Sequence, residues 1–124
     1  MYREVKADEV CFDIGFKMDI RDVRVKDWRR IEGLVRSLFV TMCSDDQVEL
    51  AMVTEKDIDV LRFFIEWEVK NHGRDIRVNV GGREFLFRKC KVSNLEVSDF
   101  KTYYDGDALS ITVGMTHSGI AIKD

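Results

Sequence analysis

Proline is absent from this chain. Proline interrupts β ladders and marks loops and strand edges, so its absence permits long uninterrupted strands. Cysteine and histidine are scarce. Cys11, Cys43 and Cys90 are widely separated, and His72 and His117 are the only histidines. Without a Cys-x-x-Cys pair there is no zinc spacing and no disulfide framework, and the cysteines read as small buried hydrophobes. A positive surplus is missing too. Twenty Lys and Arg oppose 23 Asp and Glu, for a net charge of −3. That balance argues against a chain built to neutralise phosphates. No apolar run approaches the ~18 residues of a membrane-spanning helix. Met1–Lys6 lacks the apolar run of a signal peptide, so synthesis in a cytoplasm is expected.

Catalytic signatures are equally thin. The chain has no Gly-x-x-x-x-Gly-Lys phosphate loop, no Gly-x-Ser-x-Gly elbow and no His-Glu-x-x-His pair. These absences set the expectation against an enzyme, with no cofactor, no metal and no small-molecule substrate.

What is present is the pattern of a β-rich domain. The 124 residues are 45% apolar and 35% charged, enough for one domain over residues 1–124 with its own core. Val10, Phe12, Ile14, Phe16, Met18 and Ile20 occupy even positions, with Cys11, Asp13, Gly15, Lys17, Asp19 and Arg21 between them. Strict alternation over this length is the period of a long half-buried strand. Val23 and Val25 are out of phase, as a bulge near Arg21-Asp22 would make them. Trp28, Ile31 and Leu34 fit a short helical turn ended by Gly33, or a structured loop. Val35–Cys43 and Val48–Val53 read as a hairpin joined through Ser44-Asp45-Asp46-Gln47.

Thr54–Asn71 is the helix candidate. Thr54 and Asp57 resemble a capping box. Glu55, Asp59, Arg62, Glu66 and Lys70 form a polar stripe, and Val60, Leu61, Phe64, Ile65 and Trp67 the apolar face. Leu61, Phe63, Ile65, Trp67 and Val69 also alternate as a strand would. The cap and the polar stripe favour the helix, and Asn71-His72-Gly73 would end it. Beyond it, Ile76, Val78 and Val80 alternate, Gly81-Gly82 suits a tight turn, and Phe85 and Phe87 begin a returning strand to Val92. Leu95, Val97 and Phe100 extend the sheet. After an Asp105-Gly106-Asp107 turn, Leu109, Ile111, Val113 and Met115 alternate, and Ile120 and Ile122 close the chain. The expected class is α+β, mainly β: an antiparallel β-sandwich or barrel-like sheet with one flanking helix over about 54–71.

Local constellations reduce to turns and surfaces. Gly81-Gly82-Arg83-Glu84-Phe85 resembles the Gly-Gly-Asp/Glu-Glu-Phe signature of diguanylate cyclases. Arg83 stands where a metal-holding acid is required, so the segment reads as a hairpin. Asp105 and Asp107 lack the later ligands of a calcium loop. Ser118 beside His117 does not make a nucleophile–base pair, because neighbours on a strand point to opposite faces. Trp28-Arg29-Arg30 is a possible binding patch, with the indole able to stack on a base.

The order of elements carries a family resemblance. A mid-chain helix (Glu55–Lys70) precedes a strand (Asp75–Val80), a Gly-Gly turn and an aromatic strand (Glu84–Ser93). A polar loop (Thr102–Asp107) and a last segment, Ala108–Ile120 with His117-Ser118-Gly119-Ile120, complete it. This order resembles the tail-tube proteins of contractile phage tails and the tube proteins of type VI secretion systems. The resemblance implies a structural virion protein: a subunit of hexameric rings that stack into a hollow tube, as main tube or as a baseplate or tail-end component. Its neighbours would be further copies and sheath or baseplate proteins, with DNA only as passing cargo and no membrane. A long strand leaves an edge that must be paired or covered, and a head-to-tail contact that closes makes a ring. Val10–Arg21 is therefore the expected ring-closing wall. Val10 would begin that wall, Phe12, Ile14, Phe16 and Met18 would face the second layer, and Asp13, Lys17 and Asp19 the aqueous lumen. The alternative is a small module that binds protein or nucleic acid through an exposed sheet edge or through Trp28-Arg29-Arg30.

Overall fold

A computed structural model describes residues 1–10, 19–21, 31–80, 83–102 and 106–123. In chain order they carry β1 (Tyr2–Val5), α1 (Ala7–Val10), β2 (Asp19–Arg21), β3 (Val35–Cys43), β4 (Gln47–Glu55), α2 (Ile58–Lys70), β5 (Arg74–Val80), β6 (Arg83–Thr102), β7 (Gly106–Thr116) and β8 (Ile120–Lys123). The architecture is mainly antiparallel sheet with short helices, as the alternation demanded, and the sheet does not close into a barrel.

The organising element is β6, a strand of 20 residues that belongs to both halves of the sheet. Its first part lies between β5 and β8, with Val78 opposite Phe85 and Phe87 opposite Ile120. Its second part pairs with β7 from Lys91↔Thr116 to Thr102↔Gly106. The strand bends twice to do this. The ladder with β5 slips between Arg74 and Ile76, and Lys89 takes φ 51. The ladder with β7 slips again between Val92 and Asn94. Each slip is a bulge, which turns the strand and raises its twist. The left-handed conformation of Lys89, costly for a residue with a Cβ, is held by the Asp75 carboxylate, which accepts the Lys89 N–H at 3.0 Å. Gly73 packs against this corner. A Cβ there would lie 3.1 Å from the Lys89 Cβ.

β7 and β8 follow the same side of β6 through the bend. Arg88 N–H donates to Gly119 O at 3.0 Å, and Ser118 N–H to Arg88 O at 2.9 Å. The result is a β2-β5-β6-β8-β1 half continuous with a β6-β7-β4-β3 half. Inner faces from both halves meet in one apolar core. Ile76, Val78, Phe87 and Ile120 come from the first half, and Leu50, Met52, Ile111 and Val113 from the second.

The β3–β4 hairpin forms as expected, with β3 at the expected boundaries and β4 running from Gln47 to Glu55, beyond the expected Val48–Val53. Ser44 closes it: its N–H donates to Gln47 O at 2.8 Å, and its hydroxyl oxygen accepts the Gln47 N–H at 3.1 Å.

The helix is real but begins later than the capping-box reading placed it. Thr54 is not a cap. It is fully buried in β4, because the inward alternation of Val48, Leu50 and Met52 runs on through it, and the ladder with β7 continues to Glu55↔Ala108. Asp57 caps α2 instead. Its backbone is extended (φ −130, ψ 127) and its carboxylate accepts the Asp59 N–H at 2.8 Å; such a cap satisfies an otherwise orphaned helix donor. Asn71, at φ 54, ends the helix and donates to Trp67 O and Glu68 O. The buried face also differs from the expected one. Val60, Phe63, Phe64 and Trp67 are buried, while Ile65 is exposed and Leu61 only partly buried. The helix is apolar on two faces, and the face carrying three aromatic rings, with the larger area to remove from water, faces the core.

Trp67 fastens this helix to the bend in β6. Its indole N–H donates to His72 O at 2.8 Å and to Cys90 O at 3.1 Å, and the Arg74 guanidinium sits 5.1 Å from its ring centroid. Substituting Trp67→Phe removes the donor and leaves a gap. The expected loss is about 2–4 kcal/mol of unfolding free energy, read from the denaturation midpoint in urea.

Candidate assembly surface

The expected ring-closing wall falls largely on residues the structure does not describe. Phe12, Asp13, Ile14, Phe16, Lys17 and Met18 lie outside the described residues, as do Cys11, Trp28, Arg29, Arg30, Gly81, Gly82 and Asp105. Val10 does not open a strand; it is the last residue of α1. The preceding segment settles into a helical turn because its donors are met there. Glu9 N–H donates to Lys6 O at 3.0 Å, the Glu9 carboxylate accepts the Lys6 N–H at 3.4 Å, and Asp45 accepts the Ala7 N–H at 2.8 Å. Asp19 begins β2, paired with Asn79 of β5.

The groups that could do chemistry are engaged in structure. His117 is buried. Its Nδ1 accepts the Gly119 N–H at 3.1 Å and its Nε2 lies 2.9 Å from Ser44 O. With one ring nitrogen accepting and the other facing a carbonyl, the imidazole has no position left for a substrate proton. Cys90 is buried, with its thiol 3.5 Å from Phe87 O. Among the described residues no three His, Cys, Asp or Glu side chains gather as a metal site would require. An open depression of about 290 Å³ is lined by Glu4, Glu9, Asp45, Lys6 and Ser118 among others. Its carboxylates are already bonded: Glu4 to Arg88 at 2.9 Å, Glu9 to Arg3 at 3.7 Å, and Asp45 to Ala7.

Attention therefore moves to the ends of the sheet. Two of them are short among the described residues: β1 has four residues and β2 three. β1 is also braced across β8. The Tyr2 hydroxyl donates to the Glu84 carboxylate at 2.6 Å, Glu4 pairs with Arg88, and Lys123 lies 3.9 Å from Glu84. Short, charged edges resist addition of a further strand. The other two ends are long. β3, with nine residues, pairs only with β4 among the described residues. Among the described residues the second part of β6 pairs only with β7, because β5 stops at Arg74↔Cys90.

The β6-β7-β4-β3 half has two unlike faces. One is the core face. The other carries Ser37, Phe39 and Thr41 on β3, Glu49, Ala51 and Val53 on β4, Ser110, Thr112 and Gly114 on β7, and Asn94, Glu96 and Ser98 on β6. Met42, opposite Glu49, and Lys91, opposite Thr116, lie on the same face, which is otherwise made mostly of short polar or small side chains with the acidic Glu49 and Glu96. Glu55, at its end, is bridged by Arg36 at 2.7 and 3.0 Å across the hairpin, and these bonds hold its carboxyl below the usual carboxylate range. Lys56 reaches Asp99 at 3.2 Å, which ties the start of α2 to the far end of β6.

The exposed apolar side chains are not scattered. Among the described residues, apart from Met1, the large ones are Met42 (45% exposed) on β3, Val97 (42%) on β6, and Ile58 (68%), Ile65 (49%) and Val69 (76%) on α2. Two lie on the long unpaired strands and three along one side of the helix. No family model, curated protein or solved structure matches the chain.

The brace at β1 makes a pH-dependent prediction. Burial first, and then the bond to Glu84, raise the Tyr2 hydroxyl above its ordinary 10.0. Folding favours the neutral phenol, so its contribution is complete below pH 10 and fades as the pH rises beyond it. Tyr2→Phe is expected to cost about 1 kcal/mol at neutral pH. The difference from the wild type should shrink above pH 10, as measured by urea denaturation across pH.

Proposed function

We propose that this chain is a structural subunit that joins copies of itself edge to edge into rings that stack as a hollow tube, in the manner of tail-tube proteins. The observation that supports this reading most is the pair of long strands, β3 and the second part of β6, at opposite ends of one four-strand run. If β3 of one copy adds to β6 of the next, each row of unpaired backbone groups meets a like row and the sheet continues across the junction. The two surfaces differ, so the contact is head-to-tail, and a head-to-tail contact that closes yields a ring. Its inner or outer wall would then be the mostly short, polar surface described above. Such a wall holds no basic cluster on which a passing polyanion would stick. Ring order, and hexamers in particular, follow from the resemblance to tube proteins. In this reading DNA is cargo, sheath or baseplate proteins are the outer neighbours, and the protein resides in a virion.

Met42 and Val97 mark the two halves of the junction and give a decisive pair of variants. Lysine on an edge strand blocks strand addition. Both sites are half-exposed, so Met42→Lys and Val97→Lys should each keep stability within about 0.5–1 kcal/mol of the wild type. Wild-type protein at high concentration should form rings by negative-stain microscopy, and each variant alone should sediment as far smaller species. Mixed one to one, the variants should associate across the single intact edge that each contributes, and should not regain rings. Wild-type protein that never forms rings contradicts the proposal. If it instead binds an extended peptide with one-to-one saturation, the chain is a binding module that uses the same edge.

A further inference from the structure

The outer side of α2 is a second apolar surface, distinct from the strand edges. Ile58, Leu61, Ile65 and Val69 follow spacings of three, four and four, a continuous stripe along a helix. Ile58, Ile65 and Val69 are well exposed, and Leu61 is partly buried. The stripe faces away from Val60, Phe63, Phe64 and Trp67, which hold the helix to the core. Solvent-facing aliphatic residues in a row on a well-capped helix are a surface that a partner would cover.

We infer that the partner is a second copy of this chain, docked through α2 against α2 in antiparallel two-fold symmetry. The arrangement of residues is self-complementary in that orientation. Reversing one helix against the other sets Ile58 against Val69 and Leu61 against Ile65, and both pairs centre close to Phe63–Phe64. On one flank of the stripe stand Arg62 and Glu66, one turn apart. In an antiparallel two-fold pair this flank faces its own counterpart, so Arg62 of each copy meets Glu66 of the other, twice. A parallel pair would instead set this flank against the opposite flank of the partner, and the Arg62–Glu66 pairs would not form. Arg62 is exposed and, among the described residues, held by a 3.6 Å contact to Asp59, a long contact that leaves its guanidinium able to reach across.

A contact of three helical turns is small beside the roughly 1,600 Å² of a standard interface, so the isolated pair is a weak dimer. A two-fold contact also closes on itself. It therefore cannot link neighbours around a ring; it would join two rings or two smaller assemblies. The inference does not depend on strand-edge assembly, and the two are separable in one protein. Val97→Lys removes the edge contact and leaves α2 intact.

The test uses the full chain carrying Val97→Lys, so that only the helix contact remains. Sedimentation equilibrium over a range of concentrations should show a monomer–dimer equilibrium. Arg62→Glu alone and Glu66→Arg alone should each weaken the dimer by roughly fivefold or more, since each sets like charges across both contacts. The double variant Arg62→Glu/Glu66→Arg should restore it. Ile65→Lys should abolish it, with the helical circular dichroism signal unchanged because the side chain is solvent-facing. Absence of a dimer at any concentration overturns the inference. So does a dimer unaffected by Ile65→Lys, or single reversals that the double variant fails to rescue.

Discussion

The bend in β6 is the constraint from which the rest of the molecule follows. A strand of 20 residues cannot stay within one flat layer, because strand twist accumulates along it. Here the twist is concentrated at two bulges. Between them β6 changes neighbours: β5 leaves, and β7 and β8 stay on the other side. The corner is fixed from three directions. Asp75 holds the Lys89 amide, Gly73 allows the close approach, and the Trp67 indole bonds Cys90 O. Because β5 stops at this corner, the remainder of β6 continues with one neighbour among the described residues.

An open sheet must do something with its ends. Among the described residues β1 and β2 are short, and β1 is tied by charged side chains across β8. β3 and the second part of β6 are longer and have one neighbour each among the described residues, with Arg36 on β3 paired to Glu55 and Asp99 on β6 paired to Lys56. Exposed Met42 and Val97 lie on these two strands, where charge would be the usual guard against further pairing. Helix α2 presents the same situation in another form, since its aromatic face is buried and its aliphatic face is not. Among the described residues, the large exposed apolar side chains other than Met1 thus lie on β3, β6 and α2.

Much of this was legible in the sequence. Alternation located β3, β4, β5, β7 and β8, and the Ser44–Gln47 turn bounded the first hairpin. The bends of β6 have a sequence signature too. Phe85 and Phe87 fall on odd positions, Cys90 and Val92 on even ones, and Leu95 and Val97 on odd ones again. Each change of parity marks a bulge. Other features are not local properties. Thr54 resembles a cap, but its burial in β4 depends on pairing with β7, a strand more than fifty residues away. Phe63 and Ile65 are both apolar, and which one faces inward depends on where the core lies. Which strands are left unpaired is a property of topology, so an assembly edge could be sought along the most regular alternation, at Val10–Arg21, but the free ends at β3 and β6 could not be identified.

Hydrogen exchange of the backbone amides in Val35–Cys43 and Asn94–Thr102, compared between dilute and concentrated protein, tests edge pairing most directly. Pairing between copies predicts that amides in both strands slow markedly on concentration while those of β1 do not change. Equal exchange at both concentrations, in protein that microscopy shows to be assembled, would place the contact elsewhere and contradict the proposal.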